Sequence, residues 1–214
     1  MVETHCYVVN PDISLRDEGE DGALLFNPDT NELVVINPTG RLIWGMLAEP
    51  RTPAEIAAGL VAGVLDITTT EWADELVGGV LSAGPERLEA AARTRTPAVV
   101  APGCLDMVNF WAPDTIPERF RGRLFYRHNP NVTLMRTTAD ECRQMGEFIG
   151  RKLNAIKGPV RFLIPEKGFS AIDREGQPFH DPQADMAFIQ ALTTTFQNTS
   201  QHQLVRLPMH INDE

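Results

Sequence analysis

Residues Val132 to Ile164 read VTLMRTTADECRQMGEFIGRKLNAIKGPVRFLI, and the rhythm of that stretch decides the fold. Val132 to Met135 is a short apolar run suited to a strand. Thr138-Ala139-Asp140-Glu141 follows as a capping box, with a hydroxyl at the cap and a carboxylate three residues on. It opens a helix that sets Met145, Phe148, Ile149, Leu153 and Ile156 on one face. Gly158-Pro159 ends that helix, and Val160 to Ile164 is a second apolar run. Strand, capped helix and strand in this order predict a right-handed crossover and a parallel sheet.

The same rhythm extends in both directions. Downstream, Asp181-Pro182 starts a helix with the stripe Phe188, Ile189, Leu192 and Phe196, and Leu204 to Leu207 is a last strand. Upstream, Ala98-Val99-Val100-Ala101 is the first strand of the series. The expectation is an α/β fold with a partial doubly wound parallel sheet and flanking helices. Before it come predicted helices from Pro53 to about Ala62, opened by Thr52-Pro53-Ala54-Glu55, from Thr70 to about Leu81, and from Pro85.

The N-terminal part reads differently. Ala23 to Phe26 and Leu33 to Ile36 flank Asn27-Pro28-Asp29-Thr30-Asn31, whose residues favour a turn, so a small antiparallel β-hairpin is predicted. A third strand comes from His5 to Val9 or from Ile13 to Arg16, and Asn37-Pro38 opens a short helix with Leu42, Ile43, Met46 and Leu47. The division expected is a β-rich segment over 1–57 and an α/β domain over 58–214.

Composition narrows the partners. The chain has 214 residues and a formal net charge of −10, with Lys and Arg scattered. Neutralising nucleic-acid phosphates requires clustered cations, so no nucleic-acid partner is expected, and an acidic surface disfavours anionic membranes. No apolar run reaches the roughly 18–20 residues of a membrane span, and the first residues lack a signal-peptide pattern. Three cysteines, Cys6, Cys104 and Cys142, stand far apart, which fits free thiols and a cytoplasmic location.

Chemistry in an open parallel sheet gathers beyond the carboxyl ends of its strands. The residues following the four predicted strands are Gly103, Asp106 and Asn109; Arg136, Thr137 and Thr138; Glu166, Lys167, Gly168 and Ser170; and His210, Asn212 and Asp213. Arg136-Thr137-Thr138 sets a cation and hydroxyls at a helix N-terminus, where an anion could be held, although Thr138 is equally explained as an N-cap. His128 and Asn129 follow the Arg/aromatic stretch Arg119 to Tyr126. The catalytic candidates are His128, Asp106 and His210. The ligand-binding candidates are Arg136, Thr137, Thr138, Asn109, Asn129, Ser170, Asn212 and Asp213, facing a small anionic ligand. No HExxH, zinc spacing, GxGxxG, GxxxxGK[ST] or GxSxG occurs, so no metal site is expected and neither a cofactor nor a reaction is named. His180-Asp181 resembles a metal-ligand pair, but Asp181 is better explained as a helix cap.

Two resemblances add to this reading. Gly59 to Leu76, Pro102 to Phe110, Pro117 to Arg123, Tyr126 to Pro130, Met135 to Thr138, Gly176 to Pro182 and His210 to Asp213 resemble the Tm-one-like family, an uncharacterised family named for a tomato virus-resistance protein. The likeness spans about 55–214. It implies two α/β domains with ATP associated with the first. The chain departs from that pattern in lacking the first domain and the opening of the second, so ATP is not carried over. Asn10-Pro11-Asp12, Leu24 to Thr30, Leu33 to Gly40 and Arg51 to Ala57 resemble PqqD-type proteins, small peptide chaperones of ribosomal peptide modification. That resemblance implies a winged-helix-like segment which binds a leader peptide as an added strand at Leu33, Val34, Val35 and Ile36. A sheet cut short also leaves an open edge, which either the N-terminal hairpin or a second subunit is expected to cover, so a homodimer is expected.

Overall fold

The computed structural model describes residues 7–50 and 63–213. The expected strand beginning at His5, the helix over Pro53 to Ala62 and the junction near residue 57 fall wholly or partly outside them. The chain divides into two compact units, Met1–Ala62 and Gly63–Glu214.

In the first unit β1 (Ser14–Asp17), β2 (Ala23–Asn27) and β3 (Glu32–Ile36) form an antiparallel sheet in that order. Asn27 turns the hairpin by accepting the Asp29 amide at 3.0 Å, and Asn31 completes it at φ 56°. Gly22 has φ 111°, and a Cβ there would lie 2.0 Å from the Ile36 carbonyl oxygen, so only glycine lets β1 and β2 connect over β3. Helix α1 (Pro38–Met46) starts where Asn37 Oδ1 accepts the Gly40 amide at 2.8 Å. The outer edge of β3 is exposed from Glu32 to Val35.

The second unit holds a four-stranded parallel sheet in the order β10-β9-β5-β4 and a three-stranded antiparallel sheet, β6 (Met107–Phe110), β8 (Val132–Arg136) and β7 (Phe125–Asn129) in that order. The parallel strands are β4 (Val64–Thr68), β5 (Ala98–Gly103), β9 (Val160–Pro165) and β10 (His202–Leu207). Sequence order advances in one direction across this sheet, as right-handed crossovers require when every helix lies on one face. Val100, Val160, Phe162 and Ile164 are buried in one core with Met145, Ile149 and Leu153 of α4 (Ala139–Asn154) and Phe188 and Leu192 of α5 (Pro182–Thr195). The two helices approach closely because Gly146 has no side chain: a Cβ there would sit 2.5 Å from the Phe188 carbonyl oxygen. Two shorter helices, α2 (Glu71–Val77) and α3 (Glu89–Thr94), lie between β4 and β5.

Three expectations are corrected. Val132 to Met135 is not a strand of the parallel sheet. It belongs to β8 (Val132–Arg136), the centre of the antiparallel sheet between β6 (Met107–Phe110) and β7 (Phe125–Asn129). The segment between β5 and β8 carries β6 and β7 rather than an α-helix, and β8 pairs antiparallel with both. The chain instead reverses at Cys104, which adopts φ 60°. Next, β4 takes the place at the sheet edge, held by Arg87, whose guanidinium grips Asp66 through both Nη atoms and also donates to the Thr68 carbonyl at 3.1 Å. Lastly, α2 stops at Val77 rather than Leu81, because Gly78 enters the left-handed region at φ 97°.

Candidate functional site

The loops after β5, β9 and β10 converge at the carboxyl edge of the parallel sheet. The Cys104 amide donates to the Phe169 carbonyl, the Lys167 amide to Met209 and the Ile211 amide to Gly168. These backbone bonds bring Asp106, Ser170 and His210 together, as the strand-end argument expects. Ser170 Oγ donates to Asp106 Oδ2 at 2.7 Å, and His210 Nε2 lies 2.9 Å from the Ser170 carbonyl. The Asn212 amide points at His210 Nδ1, 3.1 Å away, so the ring carries its proton on Nε2 and donates it to Ser170. Asp213 accepts the His210 amide at 2.9 Å and pairs with Arg174.

Arg136 reaches the same place from the antiparallel sheet and is 5% exposed. Its Nε donates to the Phe179 carbonyl at 2.7 Å, its Nη1 to Thr137 Oγ1 at 2.9 Å, and its Nη2 to Asp185 at 2.7 Å and Asp173 at 3.2 Å. Thr137 is drawn in as well, its amide donating to the Asp106 carbonyl and its hydroxyl to Leu105. The expected anion contact is thus a guanidinium whose three nitrogens all meet protein acceptors.

Three carboxyls surround this one cation. Burial pushes Asp106 up to about 6; its Oδ1 has no hydrogen-bond partner among the described residues. Asp173 and Asp185 are also raised, first by burial and then by a neighbouring carboxyl, Asp106 for Asp173 and Asp173 for Asp185. A single guanidinium cannot balance three buried negative charges, so this cluster retains protons that exposed carboxylates would release.

Several predicted residues lie elsewhere. Thr138 caps α4: its hydroxyl accepts the Glu141 amide at 3.2 Å while Glu141 accepts the Thr138 amide at 2.7 Å, and Arg123 holds Glu141 from outside. Asn109 binds Asp74, with its amide 2.7 Å from Oδ1 and its side chain 2.6 Å from Oδ2. His128 and Asn129 are exposed at the β7–β8 turn, whereas Arg136 ends β8 at the opposite end of that hairpin. The structure does not bring them to the strand-end cluster.

Above His210 opens a cleft of about 450 Å³, lined also by Glu166, Lys167, Arg174, Glu175, His180 and Asp213. Lys167 makes no ion pair among the described residues. His180 Nδ1 donates to the Asp173 carbonyl at 3.2 Å, which leaves Nε2 open. Sequence reasoning passed over His180 because its neighbour Asp181 explains itself as the α5 cap, accepting the Gln183 and Ala184 amides. The alternation of a cap with an adjacent imidazole was the one available signal.

Comparison with known proteins places most of the chain in one family. Residues 54–214 match the model described as the C-terminal domain of uncharacterised protein family UPF0261, and residues 22–78 match that of coenzyme PQQ synthesis protein D. A UPF0261 protein of Rhizobium meliloti is 60% identical over 156 residues, covering 73% of this chain and 39% of its own. One from Clostridium tetani is 52% identical over 159 residues, covering 74% and 39%. The tomato ToMV resistance protein Tm-1 is 43% identical over 158 residues, covering 74% of this chain and 21% of its own. The chain therefore spans about two fifths of the bacterial relatives. No described helix is long and apolar enough to cross a membrane. With three quarters of its length matched by that domain model, the chain belongs to the uncharacterised UPF0261 family, whose relatives include the tomato Tm-1 proteins.

Proposed function

We propose that the second unit binds a small anionic metabolite in the strand-end cleft, with Lys167 and the open Nε2 of His180 as its polar contacts. One observation carries this reading: an ammonium with no ion pair among the described residues and an imidazole nitrogen with no hydrogen-bond partner among them line one cleft at the carboxyl edge of a parallel sheet, where such sheets hold their ligands. His210 also lines the cleft, while Asp106, Ser170 and the Arg136 cluster are buried and already satisfied by protein partners. The test is a thermal melt of the whole chain against phosphorylated and carboxylate metabolites. A ligand at a hundred times its dissociation constant adds about 2.7 kcal/mol of stability. The reading requires that such a shift vanish in Lys167→Ala with His180→Ala; a shift unchanged in that variant contradicts it.

A second reading applies to the first unit. Its match to coenzyme PQQ synthesis protein D and the outer edge of β3, which pairs with no further strand among the described residues, support addition of a peptide strand along Leu33, Val34, Val35 and Ile36. Backbone amide perturbation along that strand on adding a leader-type peptide tests it, and perturbation confined elsewhere contradicts it. The exposed Leu65 and Ile67 of edge strand β4 support, in the same way, a homodimer formed through that edge, which sedimentation of the purified chain tests.

A further inference from the structure

The Arg/aromatic stretch from Arg119 to Arg127 plays no part in the strand-end cleft, and its four arginines divide unequally. Arg119 stacks on Phe120 with its guanidinium carbon 4.7 Å from the ring centroid. Arg121 pairs with Glu118 at 2.5 Å, with both side chains exposed. Arg123 is engaged by Glu141 and the Arg136 carbonyl. Arg127 makes no ion pair and no side-chain hydrogen bond among the described residues.

Arg127 lies directly across the sheet from Thr133, which in turn lies across from Phe110. Cross-strand partners share a face, so this row projects to one side of the antiparallel sheet. On that side a groove of about 510 Å³ opens, lined by Pro117, Phe120, Arg121, Phe125, Arg127 and Thr133 among others. The volume lies in the range, about 300–1,000 Å³, that holds small organic ligands. Thr133 is 3% exposed, yet its hydroxyl oxygen has no partner among the described residues. A buried hydroxyl left unpaired is unfavourable, and a ligand oxygen or nitrogen in the groove would complete it.

We infer that this groove is a second ligand site, for a planar aromatic molecule bearing one carboxylate or phosphate. The ring lies against Phe120 and Phe125, the anion meets Arg127, and the Thr133 hydroxyl contacts a polar atom on the ring or the anionic group. Apolar walls favour the ring, and the free guanidinium favours the charge. Neither feature alone selects the ligand; both together do.

The probes are phenyl phosphate and benzoate, titrated into the full chain by calorimetry, with inorganic phosphate and benzyl alcohol as controls. An aromatic anion is expected to bind saturably and at least tenfold more tightly than either control. Arg127→Gln weakens that binding tenfold or more. Thr133→Val, which keeps the shape and removes the unpaired hydroxyl, weakens it several-fold without lowering the melting temperature. Lys167→Ala leaves it unchanged, which separates this groove from the strand-end cleft. The inference is overturned if neither aromatic anion binds saturably, or if inorganic phosphate binds as well as phenyl phosphate. It is equally overturned if Thr133→Val and Arg127→Gln both bind like the parent chain.

Discussion

The Ser170 hydroxyl donates to the Asp106 carboxylate across 2.7 Å, although the two residues stand 64 positions apart. The contact exists because β5 and β9 are neighbours in a parallel sheet, so the loops leaving their carboxyl ends meet. It is the link between the first and third of the predicted clusters, and it rests on strand order alone. Removing it tests that order chemically. Ser170→Ala leaves Asp106 buried without its one side-chain donor among the described residues and should lower stability by about 1–3 kcal/mol in urea unfolding. A change below a few tenths would mean that the bond is not formed.

Arg136 is expected to be a stability residue. Its removal strands Asp173 and Asp185 in the core, and breaking a buried pair from one side costs about 3–5 kcal/mol. Arg136→Ala should therefore lose much of the cooperative unfolding transition of the second unit, and Arg136→Lys should recover only part, since an ammonium cannot span Phe179, Thr137 and both carboxylates. A stable, fully cooperative Arg136→Ala chain would contradict this.

The carboxyl cluster makes stability depend on pH in a direction opposite to that of paired surface carboxylates. Asp106, Asp173 and Asp185 bind protons more tightly folded than unfolded, so unfolding free energy falls as pH rises above the ordinary aspartate value of 3.8. For Asp106, raised to about 6, the loss is complete by about pH 7 and is on the order of 3 kcal/mol. Asp106→Asn should flatten the decline between about pH 4 and 6, measured as denaturant midpoints. Lowered carboxylates such as Glu141 act the other way, and their effect is confined to more acidic solution.

The contact between α4 and α5 depends on Gly146. Gly146→Ala places a methyl group against the Phe188 backbone and should destabilise by about 1–3 kcal/mol through overpacking. A neutral substitution, read by thermal melting, would show that the helices can separate without loss.

Local signals carried much of the fold. Thr138 with Glu141 three residues on, and Asp181 ahead of Pro182, announced the starts of α4 and α5, and both caps form as read. Gly158-Pro159 likewise separates α4 from β9. What failed was non-local or lacked periodicity. Met107–Phe110 is buried at every position, so no alternation marked it as a strand. Val64–Thr68 sits at an edge, where Leu65 and Ile67 are exposed and give no buried-run signal. Arg136 looked free because Asp173 and Asp185, which neutralise it, lie 37 and 49 residues away. His180 looked like part of a cap, and only the folded chain turns its Nδ1 to the Asp173 carbonyl and sets the residue in the lining of the cleft.

The most direct measurement is the side-chain nitrogen resonances of His180 and Lys167 during titration with whichever anion shifts the melting temperature. The account predicts a saturable change at both, with His210 and Arg136 little moved because protein partners already hold them. A thermally stabilising anion that leaves His180 and Lys167 unperturbed would contradict the strand-end cleft as the binding site.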